Sequence, residues 1–177
     1  MRIIFFDTET TGNTKDSYLV QLAVKERGIG EPLLNALYKP PTSIPIECTM
    51  IHHISNKMVS AKPTFKDSPE YQTIKALFED QENIAVAHNA AFDAQILANE
   101  SIFPSNILCT FKVIRALDSE ARFAMHKLQY LRYALEIELD VPAHDALADV
   151  LVLEKVFEYE LKEVMEKYEL NEEDAMQ

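Results

Sequence analysis

Only two of the 177 residues are cysteine. Cys48 and Cys109 can close at most one disulfide, and neither sits at the paired spacing of a zinc site, so both are expected as free thiols. No apolar run approaches the roughly 18 residues that suggest a membrane span. The opening MRIIFF meets Asp7 too soon to be the apolar core of a signal peptide. These absences point to a soluble, cytoplasmic protein. No internal repeat or low-complexity linker divides the chain, whose length suits one domain with a real core. Positive charge is scarce as well. Seventeen Lys and Arg against 29 Asp and Glu leave a net charge of -12, which argues against a general affinity for polyanions.

The charge is unevenly spread. Glu154 to Gln177 holds nine acidic residues against three lysines, half of the whole excess. Leu108 to Tyr133 runs the other way, with Lys112, Arg115, Arg122, Lys127 and Arg132 against only Asp118 and Glu120. That basic stretch reads equally as a contact for a phosphate backbone or as a solvated helical face. The acidic end is simplest as the end of an amphipathic helix that closes a single domain over 1–168, followed by an acidic tail, 169–177, that frays.

Periodicity supplies the elements. Residues 1–9, 18–26 and 32–40 read as three strands of a meander, with a turn at Thr11-Gly12-Asn13 and with Gly28 and Gly30 between the second and third. The proline-rich stretch from Pro40 to Pro63 reads as a surface excursion, although MIHHI within it is too apolar for an idle loop. Ser68-Pro69 opens a helix to about Glu82. NIAVAH and NILCT are short buried strands, with a helix over AAFDAQILANE between them. Further helices fit 111–118 and 127–137, and a long one runs from Asp145 to Tyr168. Strands first and then alternating helices and strands predict a mixed α/β sheet covered by helices.

In FFDTETTG, Asp7 and Glu9 are two apart on a strand and share a face. Two ionised carboxylates that close repel unless a cation sits between them, although the pair alone also fits an exposed strand end in water. HNAAFD places Asp93 in the first turn of a helix just past a buried strand, where ligands collect in α/β sheets. A favourable helix dipole is the simpler account of Asp93, and a turn the simpler account of Asn89. In HDALAD, His144 and Asp149 are five apart and cannot share a face inside one helix, so His144 belongs to the preceding loop. Asp149 falls among Leu147, Val150 and Leu153 and points inward, where a carboxylate needs a partner. Four carboxylates and one histidine suit a pair of hard cations, Mg²⁺ or Mn²⁺, which at ~4 Å separation clamp a phosphate while His144 takes a proton from water.

FFDTETTG, HNAAFD and HDALAD resemble the three motifs of the DEDDh exonuclease family, in order and spacing. The similarity extends through ALYKPPTSIPIECTMIHHISNKMVSAKPTF, LCTFKVIRAL and LQYLRYALEI, from about residue 3 to 158, and is strongest to exonuclease X-type members. It implies a ribonuclease H-like fold: a mixed five-stranded sheet, three antiparallel strands and then parallel ones, flanked by helices. It implies 3′ to 5′ hydrolysis releasing nucleoside 5′-monophosphates, with single-stranded DNA ends preferred and RNA as the alternative. By motif position, Asp7, Glu9, Asp93 and Asp149 would hold two Mg²⁺ or Mn²⁺ ions and His144 would be the general base. Thr10, Thr11, His52 and Asn89 would contact the 3′-terminal nucleotide. The chain departs from the pattern at Asn13, where many members carry a leucine that separates or stacks terminal bases. A polymerase or other protein partner, even a purely accessory role, is compatible with the resemblance. His53 is expected to be exposed, and His88 to hold its loop by a hydrogen bond to backbone. Phe123 and Tyr130 are expected in the core.

Overall fold

A computed structural model describes residues 1–176. Strand β1 (Ile3–Thr10) is followed by β2 (Leu19–Glu26) and β3 (Leu34–Leu37), antiparallel in succession. Two short helices, α1 (Ile46–His52) and α2 (Asn56–Val59), lead to α3 (Tyr71–Glu79). Then come β4 (Ile84–Ala87), α4 (Ala91–Asn99), β5 (Ile107–Cys109), α5 (Thr110–Leu117) and α6 (Leu128–Ala134). The long α7 (Ala146–Tyr168) and the short α8 (Glu172–Ala175) complete the order. The sheet runs β3-β2-β1-β4-β5, with β4 parallel to β1 and β5 parallel to β4. It is the mixed sheet expected from the pattern.

The pleat of β1 divides the core. Even positions Ile4 and Phe6 pack with Ile74 and Phe78 of α3 and Ile96 and Leu97 of α4. Odd positions Ile3 and Phe5 face Val150, Leu153 and Phe157 of α7. Phe5 and Phe157 meet edge to face at 5.3 Å, an arrangement contributing about 0.5–1.5 kcal/mol beyond area burial. A second apolar stripe of α7, Val152 and Val156, covers Ile114 of α5 and Leu131 of α6. Polar contacts from β2 and the turn just after it then set how α7 lies on the sheet. Gln21 bonds Asp145 at 3.1 Å, the buried Lys25 pairs with Glu154 at 2.8 Å, and Arg27 pairs with Glu158 at 2.6 Å.

Three expectations change. The stretch 40–63 contains α1 and α2, which have no strong helical period. Their hold comes from Ile44, Ile54 and Val59 packing on Val20, together with Asn56 bonding both backbone groups of Ile44. Helix α3 begins at Tyr71 rather than at Pro69. Residues 169–176 do not fray. Asn171 caps α8 through Asp174 N–H at 2.9 Å, Glu172 pairs with Arg27, and Ala175 and Met176 pack against the α7 side of the core. None of the described helices is long and apolar enough to cross a membrane. Both cysteines are free.

Candidate active site

Beyond Phe5 the odd face of β1 turns polar. Asp7 stands opposite Ala23 and Glu9 opposite Gln21, and the register shifts between Glu9 and Thr10 where the strand leaves its partner. The first turn of α7 comes down on the same face, because the odd positions of β1 are those that α7 covers. Oxygens of Asp7, Glu9 and Asp149 lie within 4.8 Å of one another. Asp93 approaches from α4, on the other side of the sheet, and Thr8 Oγ1 donates to its Oδ1 at 2.7 Å. It stands outside that group of three, yet its charge acts on both Asp7 and Glu9.

The electrostatics are those of carboxylates crowded out of water. Burial, and then the charges of Asp93, Asp149, Glu9 and Asp145, hold Asp7 well above the ordinary carboxylate range. Burial and the neighbouring Asp149, Asp145 and Asp93 push Glu9 up to about 8. Asp93 rises to about 7 through burial, against the opposing bond from Thr8. Asp149 rises to about 6, again through burial, moderated by the charge of His144 and the amide of Gln129. Among the described residues, no lysine or arginine is ion-paired with any of the four. An all-oxygen, cation-poor cluster fits hard divalent cations, whose charge removes the repulsion that now favours protonation.

His144 lies in the loop before α7, exposed and in a left-handed conformation with φ 59°. The ring stays exposed at the rim, near enough for its charge to act on Asp149. Asp145 caps α7 by accepting from Ala148 N–H at 3.1 Å. Gln21 fixes the cap to the sheet, since its amide also donates to Asn35 at 2.9 Å and its oxygen accepts from Ala146 N–H at 3.3 Å.

Beside Glu9 opens a cleft of about 340 Å³, lined by Thr8, Thr10 and Gly12 from the first motif, by Asn13 just past it, and by Glu47, Cys48, Ile51 and His52 of α1, with Phe92 of α4. Helix α1 thus accounts for the apolar MIHHI. His52 is buried, and its Nδ1 accepts from Ile54 N–H at 3.0 Å, which puts the ring proton on Nε2. Nε2 points toward the Thr10 backbone without completing a hydrogen bond, and burial lowers the ring's pKa. Thr10 Oγ1 donates to the Gly12 carbonyl at 2.5 Å. Thr11 and Asn89 do not line the cleft. The Thr11 hydroxyl accepts from Tyr18 N–H at 3.0 Å, and Asn89, at φ 66°, accepts from Phe92 N–H through its carbonyl at 3.0 Å and so starts α4. Exposed Asn13 offers no apolar wall, and Ile51, Cys48 and Phe92 provide those walls instead. As expected, His53 is exposed and His88 Nε2 bonds the His126 carbonyl at 2.7 Å.

Three polar residues at the site escaped sequence reasoning: Thr8, Gln21 and Gln129, whose Nε2 donates to Asp149 Oδ1. Gln21 left a signal, a lone amide in an otherwise apolar strand. Thr8 also left one, since it shares the even face with Phe6 and had no reason to be polar. Gln129 left none, because a half-exposed amide on a short helix is commonplace.

Residues 4–157 match the RNase_T family, described as exonuclease. The chain is 37% identical over 94 residues to uncharacterized exonuclease CP81 of Escherichia phage 186, covering 53% of this chain and 46% of that one. It is 28% identical over 171 residues to a DNA polymerase III subunit epsilon-like protein of Rhodobacter capsulatus, covering 89% of this chain and 23% of that one. The alignments therefore span less than half the length of these two relatives. Among solved structures, exonuclease X in complex with 5′ overhanging duplex DNA superposes with a TM-score of 0.70 at 22% identity, covering 99% of both chains. E. coli exonuclease I in complex with a dT13 oligonucleotide gives 0.73 at 21% identity, covering 90% of this chain and 40% of that one. The shared architecture is the ribonuclease H-like exonuclease fold.

Proposed function

The chain belongs to the RNase_T exonuclease family, with the DEDDh motif set, and from that premise we propose that it trims nucleic acid from the 3′ end by metal-assisted hydrolysis, releasing nucleoside 5′-monophosphates. The observation that carries this reading is the meeting of Asp7, Glu9 and Asp149 within 4.8 Å. Nothing in the packing of β1 against α7 requires three carboxylates at the end of an apolar face, and their repulsion is a standing cost that divalent cations would offset. We assign Asp7, Glu9, Asp93 and Asp149 as the ligands of two Mg²⁺ or Mn²⁺ ions.

Bound cations would make water more acidic and stabilise the charge developing on the scissile phosphate. The remaining work falls to the chain. His144, exposed at the rim and beside Asp149, accepts the proton of the attacking water, and its left-handed turn keeps the ring outside the buried cluster. Thr10 and His52 border the cleft that receives the terminal nucleotide, whose base rests on Ile51 and Phe92. Asn89 and Thr11 act from the edge, the first by fixing the start of α4 and the second by holding the turn after β1.

Single-stranded DNA is the favoured substrate. Exposed Asn13 gives no apolar edge to part a base pair, and the compared exonucleases were solved with DNA or an oligonucleotide. The test uses matched 5′-labelled DNA and RNA, single-stranded and with duplex ends, incubated with Mg²⁺ or Mn²⁺. A descending ladder on single-stranded DNA that disappears in Asp7→Asn is expected. Cleavage of RNA alone transfers the reading to an exoribonuclease, and no cleavage of any strand transfers it to an accessory module on a partner such as a polymerase.

A further inference from the structure

The basic stretch 112–132 resolves into two groups. Arg122 is spent internally, pairing with Glu163 at 2.9 Å and lying 3.6 Å from the buried Asp118. Arg132 is buried and donates to the carbonyls of Leu139 and Val141. Lys112, Arg115 and Lys127 are exposed, and among the described residues none of them takes part in an ion pair. In a chain of net charge -12, three unpaired cations gathered on one side are a local exception.

Their placement is built. Lys112 and Arg115 stand one turn apart on the outer face of α5, opposite buried Ile114 and Leu117. The Arg115 guanidinium lies 5.6 Å from the centre of the Phe111 ring, which sits edge-on to His126 at 6.4 Å and to His88 at 5.7 Å. His126 is fixed by Asp118 at 2.8 Å and directly precedes Lys127. The same group lies beside two of the site's segments. His88 adjoins Asn89, and Gln129, two residues beyond Lys127, donates to Asp149.

We propose that Lys112, Arg115 and Lys127, around the half-buried Phe111, form a track for the phosphates of single-stranded DNA upstream of the scissile bond. The track counters the repulsion that an acidic protein imposes on its own substrate and confines affinity to strands entering from this side. Three ionic contacts to a single strand correspond to a slope of about -2 in log affinity against log salt. The inference rests on the nuclease reading only for where the strand ends.

The test measures binding, so it does not depend on turnover. The probe is 5′-fluorescein dT16 with a hydrolysis-resistant phosphorothioate 3′ end, read by anisotropy in Mg²⁺ across a salt series. The triple variant Lys112→Glu, Arg115→Glu, Lys127→Glu is expected to weaken binding at least tenfold and to flatten the salt slope. A control triple variant, Lys62→Glu, Lys155→Glu, Lys167→Glu, changes net charge equally at exposed sites elsewhere and is expected to keep the slope. Thermal melting confirms that both are folded, and Arg115→Gln with Lys127→Gln replaces the triple variant should it melt early. Unchanged affinity in the track variant, or equal weakening in the control, overturns the track. Trimming of unmodified dT16 by the wild type is followed separately, so loss of the nuclease reading and loss of the track give different results.

Discussion

Thr8 Oγ1 and Asp93 Oδ1 are 2.7 Å apart and join residues 85 positions apart in sequence, across the side of the sheet opposite the other carboxylates. The bond opposes the effect of burial on Asp93 and fixes which oxygen faces β1. Thr8→Val keeps the shape of the side chain and removes the donor. Activity should fall about 10–100-fold, mainly as a higher metal requirement, because an unrestrained ligand binds metal less well. Titrating activity with Mn²⁺ checks this, and Thr8→Ser should restore the wild-type midpoint. Identical midpoints in wild type and Thr8→Val would show that Asp93 needs no such hold.

Metal removal should leave a signature in stability. Carboxyls held above their ordinary values keep protons in the folded state that the unfolded chain has already released. Folding is therefore increasingly disfavoured as pH rises from the ordinary carboxylate range, about 4, towards the value of about 8 reached by Glu9. Tm in EDTA should fall across that window, and millimolar Mg²⁺ should recover most of the loss near pH 8 by binding only the folded form. A melting temperature indifferent to Mg²⁺ at pH 8 would mean that the cluster is not a cation site.

His144→Ala deletes the proposed proton acceptor from an exposed loop. Turnover should drop about 10²–10⁴-fold while the Mg²⁺-induced rise in Tm persists, since none of the four proposed ligands is touched. Single-turnover trimming and a melting scan on one preparation separate the two effects. Full turnover in the variant would assign the base elsewhere.

Most of this site was legible because its chemistry is written in short-range spacing. Two carboxylates at i and i+2 needed only the pleat of β1, and Asp149 needed only the apolar period of α7. What stayed hidden is held by contacts distant in sequence. Helices α1 and α2 hold their form against Val20 and through Asn56, so no local period announced them. The end of the chain looked like an unrestrained acidic tail because its anchor, Arg27, lies far away in sequence, just past the end of β2. Gln129 looked like any surface amide until α6 was laid beside α7.

Glu160 supplies a stability prediction remote from the site. It is 2% exposed, neither carboxyl oxygen has a hydrogen-bond partner, and burial, with Cys109 nearby, pushes its pKa up to about 9. The folded protein keeps this proton where the unfolded chain does not, so stability falls between about pH 4.5 and 9 whether or not metal is present. Glu160→Met should stabilise by about 1–3 kcal/mol at pH 8 in urea titrations and remove the metal-independent part of the slope. A destabilised variant would mean that the carboxyl is satisfied in solution.

The alternation along β1 binds correctness of fold to competence of chemistry. Ile3 and Phe5 fill one core, Ile4 and Phe6 the other, and Asp7 and Glu9 continue the first series. Slipping this strand by one residue against its neighbours would send both carboxylates into the layer of α3 and α4 and exchange the two sets of core side chains at once. A misaligned chain would lose its cores together with its ligands and should be cleared as unfolded protein. It would not persist as a stable, inactive competitor for nucleic-acid ends.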